Sequence, residues 1–344
     1  MSEKLVQQVR LGKNSGLKIS PILVGCMSYG CKQWAEWVLE DKEKIFSILK
    51  HCYDHGLRTF DTADVYSNGA SESLVGEFLK KYNIDRETVV ILTKLFYPVD
   101  ESLDLKHGGT FDEEEKLQLT HHRGLSRKHI IAGAKASMER LGTYIDVLQI
   151  HRFDDETPME ETMRALNYVV DQGFTRYIGA STMRATEFAE MQFIAEKHGW
   201  YKFISSQSSY NLLYREDERE LIPFAQRHGV GLIPWSPNAR GVLTRPSNQT
   251  SERIKSDPTY SRLGWNALKA NQKEIVDRVE EIAKTKGVSM AVISIAWVLS
   301  KGAYPIVGLN SIERVNEALQ ALDVRLTDEE TTYLEEKYLP VKPM

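Results

Sequence analysis

The sequence predicts an α/β barrel, eight parallel strands closed on themselves with helices outside, and three observations carry that expectation. Eight short apolar or β-branched runs recur along the 344 residues. A helix-like segment follows nearly every run, which calls for right-handed βαβ crossovers and hence a parallel sheet. Side chains capable of chemistry gather just after the runs, at the strand ends where such barrels place their sites. A doubly wound, two-domain chain is the structural alternative, weakened because no run is followed by G-x-G-x-x-G.

The expected strands are 22–24, 57–60, 89–92, 145–150, 177–180, 203–205, 230–233 and 304–307. Helices are expected over 42–55, 71–82, 185–199, 216–228, 272–286, 290–301 and 312–322. Another opens at Ser126, where Ile130, Ala134, Met138 and Leu141 share one face and Gly142 supplies the stop. Thr157-Pro158-Met159-Glu160 reads as a capping box, with threonine as cap and proline in the first helical position.

Two intervals, 95–125 and 240–270, are too long for simple turns. They follow the third and seventh strands, so both are expected as lids on the face where chemistry occurs. The whole chain, 1–344, reads as a single (β/α)8 (TIM) barrel domain, with a core over about 10–322 and a tail over 323–344.

Composition narrows the functional classes. With 44 Lys+Arg against 48 Asp+Glu the formal charge is −4, and the pI is about 6.2. That balance gives no electrostatic case for a nucleic-acid partner. Cys26, Cys31 and Cys52 cannot all pair and lack metal-ligand spacing, so no metal is expected. The most apolar stretch, 288–299, falls short of the ~20 residues a bilayer span needs, so no membrane partner is expected. The opening residues MSEKLVQQVRLGKN lack the apolar core of a secretory signal, and a cytoplasmic protein is the expectation. The oligomeric state is left open.

The informative pattern is positional. Asp61 follows the second run, with Tyr66 five residues on; Lys94 follows the third and His151 the fourth. Ser181 and Thr182, Gln207, and Trp235 with Ser236 follow the next three. Each residue alone has a structural explanation, but a barrel brings all of them to one rim. A phenol is protonated at neutral pH and can give its proton to a carbonyl oxygen. An ammonium beside it is expected to lower its pKa, a carboxylate would hold that ammonium, and an imidazole could orient the oxygen. No serine or cysteine stands in a nucleophile motif and no paired-histidine metal spacing appears, so the carbonyl is expected to receive a hydride from a bound cofactor.

These residues stand in FDTADVY (60–66), LTK (92–94), LQIHR (148–152), IGAST (178–182), SQSSYN (206–211), PWSPNARGVL (234–243) and PIVGLNSIERVNEAL (305–319). Together they resemble the aldo-keto reductases, in the branch of aryl-alcohol dehydrogenase-like enzymes and potassium-channel β subunits. The resemblance runs in order from about Arg10 to Leu322. It implies a barrel that binds NADP(H) without a Rossmann motif and reduces a small carbonyl substrate. It implies Tyr66 as general acid, Lys94 and Asp61 as its pKa-lowering pair, and His151 at the carbonyl-orienting position.

For the cofactor, the resemblance implies Ser181 and Gln207 at the carboxamide and Trp235 stacked on the nicotinamide. It implies Ser236 to Gly241 facing the pyrophosphate, including Pro237 and Arg240, and Asn310, Arg314 and Glu317 at the adenosine end. Tyr260 and Arg262 match a covering segment. Three positions depart from the pattern. Thr182 stands where many relatives carry asparagine or arginine, and Ala318 where asparagine is frequent. Pro246 lies near a lysine of the channel subunits, leaving Arg245 as a substitute. Arg314 and Arg262, with Arg245 a weaker third, favour NADP, because guanidinium gives a 2′-phosphate bidentate charge-assisted bonds. A regulatory, cofactor-binding module is the alternative function; His151 speaks against it, since the channel subunits carry asparagine there.

Overall fold

The computed structural model describes residues 5–249, 257, 260 and 263–343. The eight expected runs form the eight strands of one parallel sheet: β3 (Leu23–Gly25), β4 (Thr59–Asp61), β5 (Val90–Leu95), β6 (Ile145–Ile150), β7 (Thr175–Ser181), β8 (Phe203–Gln207), β9 (Gly231–Leu232) and β10 (Ile306–Gly308). Their order is β10-β3-β4-β5-β6-β7-β8-β9. The amides of Tyr304 and Ile306 donate to the carbonyls of Leu232 and Pro234 at 2.8 and 2.9 Å, which joins the two edge strands. With that seam the sheet curls into the (β/α)8 barrel.

Along these strands successive side chains alternate between two cores. Leu23, Leu92, Val147, Ile204 and Ile306 point into the barrel. Phe60, Ile91, Leu148, Ile150 and Ile178 point outward into the larger core beneath the helices. A short antiparallel hairpin, β1 (Val9–Arg10) and β2 (Lys18–Ile19), was not evident in the sequence. Its Leu11 and Ile19 join the interior core. Gly231 permits this, because a Cβ there would lie 2.3 Å from Leu11 Cδ1.

The helices are α1 (Lys42–Asp54), α2 (Ala70–Lys81), α3 (Glu113–Gln118), α4 (Arg127–Leu141), α5 (Met159–Asp171), α6 (Ala185–His198), α7 (Leu221–Arg227), α8 (Ala270–Lys286), α9 (Met290–Ser300), α10 (Ile312–Ala321) and α11 (Asp328–Glu335). Ser126 caps α4 through its hydroxyl, and Gly142 ends it in a left-handed conformation, as the sequence predicts. Two expectations need correction. Helix α5 has Pro158 itself as cap with no side-chain cap bond, and Thr157 donates to Asp154 Oδ2 at 2.7 Å. The helix expected over 216–228 is split into a 3-10 turn, Glu216–Glu218, and α7. Pro223 accounts for the break: it has no amide hydrogen and its ring clashes with the carbonyl four residues earlier.

Helix α9, the most apolar segment, is a core helix whose Ile293 and Trp297 are fully buried. Among the described residues no single helix is long and apolar enough to cross a bilayer. The interval expected as a tail carries α11, which packs on α8 through the buried Leu334.

Candidate active site

Period-two alternation lifts one column of inward side chains from apolar at the barrel floor to polar at its C-terminal rim. On β5 the column runs from Leu92 to Lys94, and on β6 from Val147 through Gln149 to His151. On β4 it runs from Thr59 to Asp61. Lys94 and Gln149 are paired in register. Gly179, the β7 partner of Gln149, leaves the amide room: a Cβ there would lie 3.1 Å from Gln149 Cγ.

The result is a buried polar cluster. Lys94 is fully buried. Its Nζ donates to Asp61 Oδ2 at 2.6 Å and to the Thr62 carbonyl at 2.8 Å, and lies 3.3 Å from Tyr66 Oη. The other carboxylate oxygen, Asp61 Oδ1, accepts from Gln207 Nε2 at 2.9 Å and Gln149 Nε2 at 3.3 Å. Both oxygens are thus engaged, which is what a carboxylate out of water requires.

Tyr66 opens a 3-10 turn in which Ser67 and Asn68 hold left-handed backbone, φ 50° and 52°. Such conformations persist only where neighbours enforce them. Ser67 Oγ accepts from the Cys31 amide at 3.1 Å. The Asn68 amide group donates to the carbonyls of Asp100 and Leu103 at 2.8 and 3.0 Å. The turn that aims the phenol is thereby tied to the loops on either side of it.

The expected direction of the phenol pKa is corrected. Burial raises the Tyr66 pKa and outweighs Lys94, which pulls it down; the Asp61 carboxylate adds to the rise. The Lys94 pKa is also raised: Asp61 and Tyr66 together overcome a desolvation effect of opposite sign. His151 lies edge-on to Tyr66, ring centroids 5.8 Å apart. Burial, reinforced by Arg152 and Lys94, drives its pKa well below the ordinary value, so the imidazole is neutral. Its Nδ1 is buried with no hydrogen-bond partner among the described residues. A proton there would be a stranded donor, so the tautomer protonated on Nε2 is favoured.

A cavity of about 1000 Å³ opens over this cluster. Asp61, Tyr66, His151, Ser181, Gln207 and Trp235 line one part of it. Ser236, Pro237, Arg240 and Gly241 follow along the wall, and Asn310, Arg314 and Glu317 complete it. The strand ends therefore bring together nearly every residue the sequence singled out. Ser181 Oγ donates to the Gln207 carbonyl at 2.7 Å. Ser236, Ala239, Arg240 and Gly241 all have positive φ, a loop geometry suited to cradling an anion.

Some residues sit otherwise than expected. Thr182 is off the cavity wall and accepts a 3.0 Å bond from Trp235 Nε1. Arg240 lines the wall, but its Nε donates to Asp257 Oδ2 at 2.9 Å in a buried ion pair. Tyr260 is buried and donates to the Arg240 carbonyl. Arg262 lies outside the described residues.

Sequence reading missed Gln149, whose signal was its place two residues before His151 on the same strand. Trp34 and Trp37 line the cavity, while Tyr29 is core and donates to the Leu309 carbonyl. Tyr97, also unremarked, packs its ring 5.2 Å from that of His151. The 95–125 interval closes on itself where the Gly124 amide donates to the Phe96 carbonyl at 2.7 Å. The His107 amide, inside that interval, donates to the Trp34 carbonyl at 2.9 Å. Among the described residues no cluster of His, Cys, Asp and Glu could hold a metal ion.

Comparison with known proteins agrees with this architecture. The chain is 68% identical over 336 residues to the Saccharomyces cerevisiae protein named Putative aryl-alcohol dehydrogenase AAD16, covering 98% of each. It is 54% identical to the Schizosaccharomyces pombe protein named Putative aryl-alcohol dehydrogenase C977.14c, over 95% of each chain. It is 51% identical to the versiconal hemiacetal acetate reductase of Aspergillus parasiticus, over 97% of this chain and 98% of that one. The family model for the aldo/keto reductases matches residues 21–339. A barrel whose rim gathers this cluster, matched over nearly its whole length, places the chain plainly: it belongs to the aldo/keto reductase family of oxidoreductases.

Proposed function

We propose that the protein is an NADPH-dependent reductase of aldehydes or ketones, with Tyr66 as the general acid. The observation that carries this reading is the juxtaposition of Tyr66 Oη with Lys94 Nζ, 3.3 Å apart, under a cavity that His151 also lines. Names of relatives that denote alcohol dehydrogenases and a reductase support it.

Residues on the cavity wall fit a dinucleotide. Trp235 offers an indole face beside Ser181 and Gln207, whose Nε2 is occupied by Asp61 and Gln149 while its Oε1 is not. Asn238 Oδ1 is a buried acceptor without a donor among the described residues, next to the positive-φ loop. Arg314, on the cavity wall, would supply the fixed positive charge that a 2′-phosphate needs, in contrast to Arg240, which Asp257 already neutralises. When bound there, a reduced nicotinamide supplies the hydride.

The remaining steps belong to the chain. His151 Nε2–H holds the carbonyl oxygen and polarises it. Tyr66 transfers its proton to that oxygen as negative charge develops there. Lys94 stabilises the phenolate left behind, and Asp61 keeps the ammonium in place. Trp34 and Tyr97 shield the reacting carbonyl from water.

The test is cofactor oxidation followed by absorbance with a panel of aryl and aliphatic aldehydes, NADPH against NADH. Turnover with NADPH preferred is the expected result. Cofactor binding without turnover of any aldehyde would favour a regulatory module instead.

A further inference from the structure

Charge is unevenly distributed around the cavity. Among the described residues its acidic side chains are Asp61, engaged by Lys94, and Glu317, beside Arg314 in the chain's last βα unit. Two guanidiniums on the wall, Arg123 and Arg152, have no carboxylate partner among the described residues. The acid nearest Arg152 in sequence is already used: Asp154 Oδ2 accepts from the Leu125 amide and from Thr157 Oγ1, each at 2.7 Å.

Their position separates them from the residues proposed to hold the cofactor. Arg123 ends the excursion after β5, and Arg152 follows β6 by two residues. Trp235, Ser236 and Asn310 follow β9 and β10, across the ring of strands. Arg152 is also near the reacting groups. Its Nη1 donates to the His151 carbonyl at 2.5 Å, and its guanidinium sits 5.7 Å from the centre of the Tyr97 ring. A guanidinium with no carboxylate partner among the described residues, set beside an aromatic ring as Arg152 is beside Tyr97, suits an oxyanion on an aryl or apolar frame. The exposed Arg123 adds a second positive charge at the rim.

We propose that the site selects carbonyl substrates bearing an anionic substituent, a carboxylate or sulfonate, held by Arg152 and Arg123 while the carbonyl faces Tyr66 and His151. This rests on the reductase reading and adds the substrate class.

The test compares kcat/KM with NADPH for 4-carboxybenzaldehyde, 4-formylbenzenesulfonate and the neutral methyl 4-formylbenzoate. The anions are expected to be preferred by about tenfold or more, with the margin shrinking as salt rises. In the double variant Arg123→Met, Arg152→Met the anion-to-ester ratio is expected to fall to near one. An ester reduced as well as the anions, or a preference that survives both substitutions, overturns the proposal and leaves the reductase reading intact. If no aldehyde is reduced, that reading fails, and thermal stabilisation decides the anion site. Benzoate is then expected to raise the wild-type Tm more than benzamide, with the difference lost in the double variant. Equal effects of the two overturn it.

Discussion

Lys94 and Asp61 form an ion pair at 2.6 Å with side chains only 0% and 3% exposed. Removing one member leaves a charge stranded out of water, and breaking such a pair costs about 3–5 kcal/mol. Lys94→Met should lower unfolding free energy by about that amount in urea titrations. Adding Asp61→Asn should recover part of the loss, since an amide needs no counter-charge. Equal stability of the single and double variants would show that removing Lys94 strands no charge on Asp61.

Tyr66→Phe keeps the ring and deletes the acid. The proposed role predicts a fall in kcat of about 10² to 10⁴. NADPH affinity, read by fluorescence, should change little. A variant that reduced a good aldehyde at the wild-type rate would remove Tyr66 from the chemistry.

The buried His151 makes stability depend on pH with a definite sign. Its folded pKa is depressed, so below the ordinary value of ~6.5 the unfolded chain takes up a proton that the folded chain refuses. Its contribution is therefore present above that pH and lost as pH falls, by at most about 1.4 kcal/mol per pH unit. Denaturant titrations at pH 7 and pH 5 should show a shallower decline in His151→Asn than in the wild type. Parallel declines would mean that His151 is readily protonated in the folded protein.

Thr182 gives Trp235 a fixed edge through the 3.0 Å indole hydrogen bond. NADPH is expected to quench the fluorescence of this indole on binding. Thr182→Val should weaken NADPH affinity modestly, on the scale of one hydrogen bond, about 0.5–1.5 kcal/mol. Trp235→Phe should remove most of the quench. A full quench in Trp235→Phe would place the reporting tryptophan elsewhere.

Arg314 is the residue proposed to face a 2′-phosphate. A hydrogen bond to a charged group contributes about 1.5–3 kcal/mol, so Arg314→Ala should cut the preference for NADPH over NADH by roughly ten- to hundredfold. The ratio of kcat/KM for the two cofactors measures it. An unchanged ratio would shift the assignment to another residue.

The strands were legible because each is an apolar run flanked by turn residues, and the alternation of neighbours on β5 and β6 carries straight through to Lys94 and His151. The column rule also contains Gln149, but a glutamine inside an apolar run reads as an interruption until its partners, Asp61 and Gln207, are seen. Hairpin β1–β2 has two residues per strand, too few for any periodicity. The pairing of Arg240 with Asp257, and the lack of a carboxylate partner for Arg152 among the described residues, depend on residues brought together by folding. The direction of the Tyr66 pKa escapes the sequence for a similar reason: a sequence shows which charges are near a phenol, and not how much water the fold removes.

The N-terminal hairpin has a consequence for how the protein is made. The amides of Lys13 and Asn14 both donate to the Gly229 carbonyl, at 2.6 and 3.0 Å, and the Asn14 side chain donates to Phe203 at 3.2 Å. These anchors emerge from the ribosome roughly two hundred residues after the hairpin, a wait of about 10–40 s at ordinary translation speeds. The hairpin thus waits, undocked, for acceptors that do not yet exist. Sealing the base of the barrel is a late event in its biogenesis.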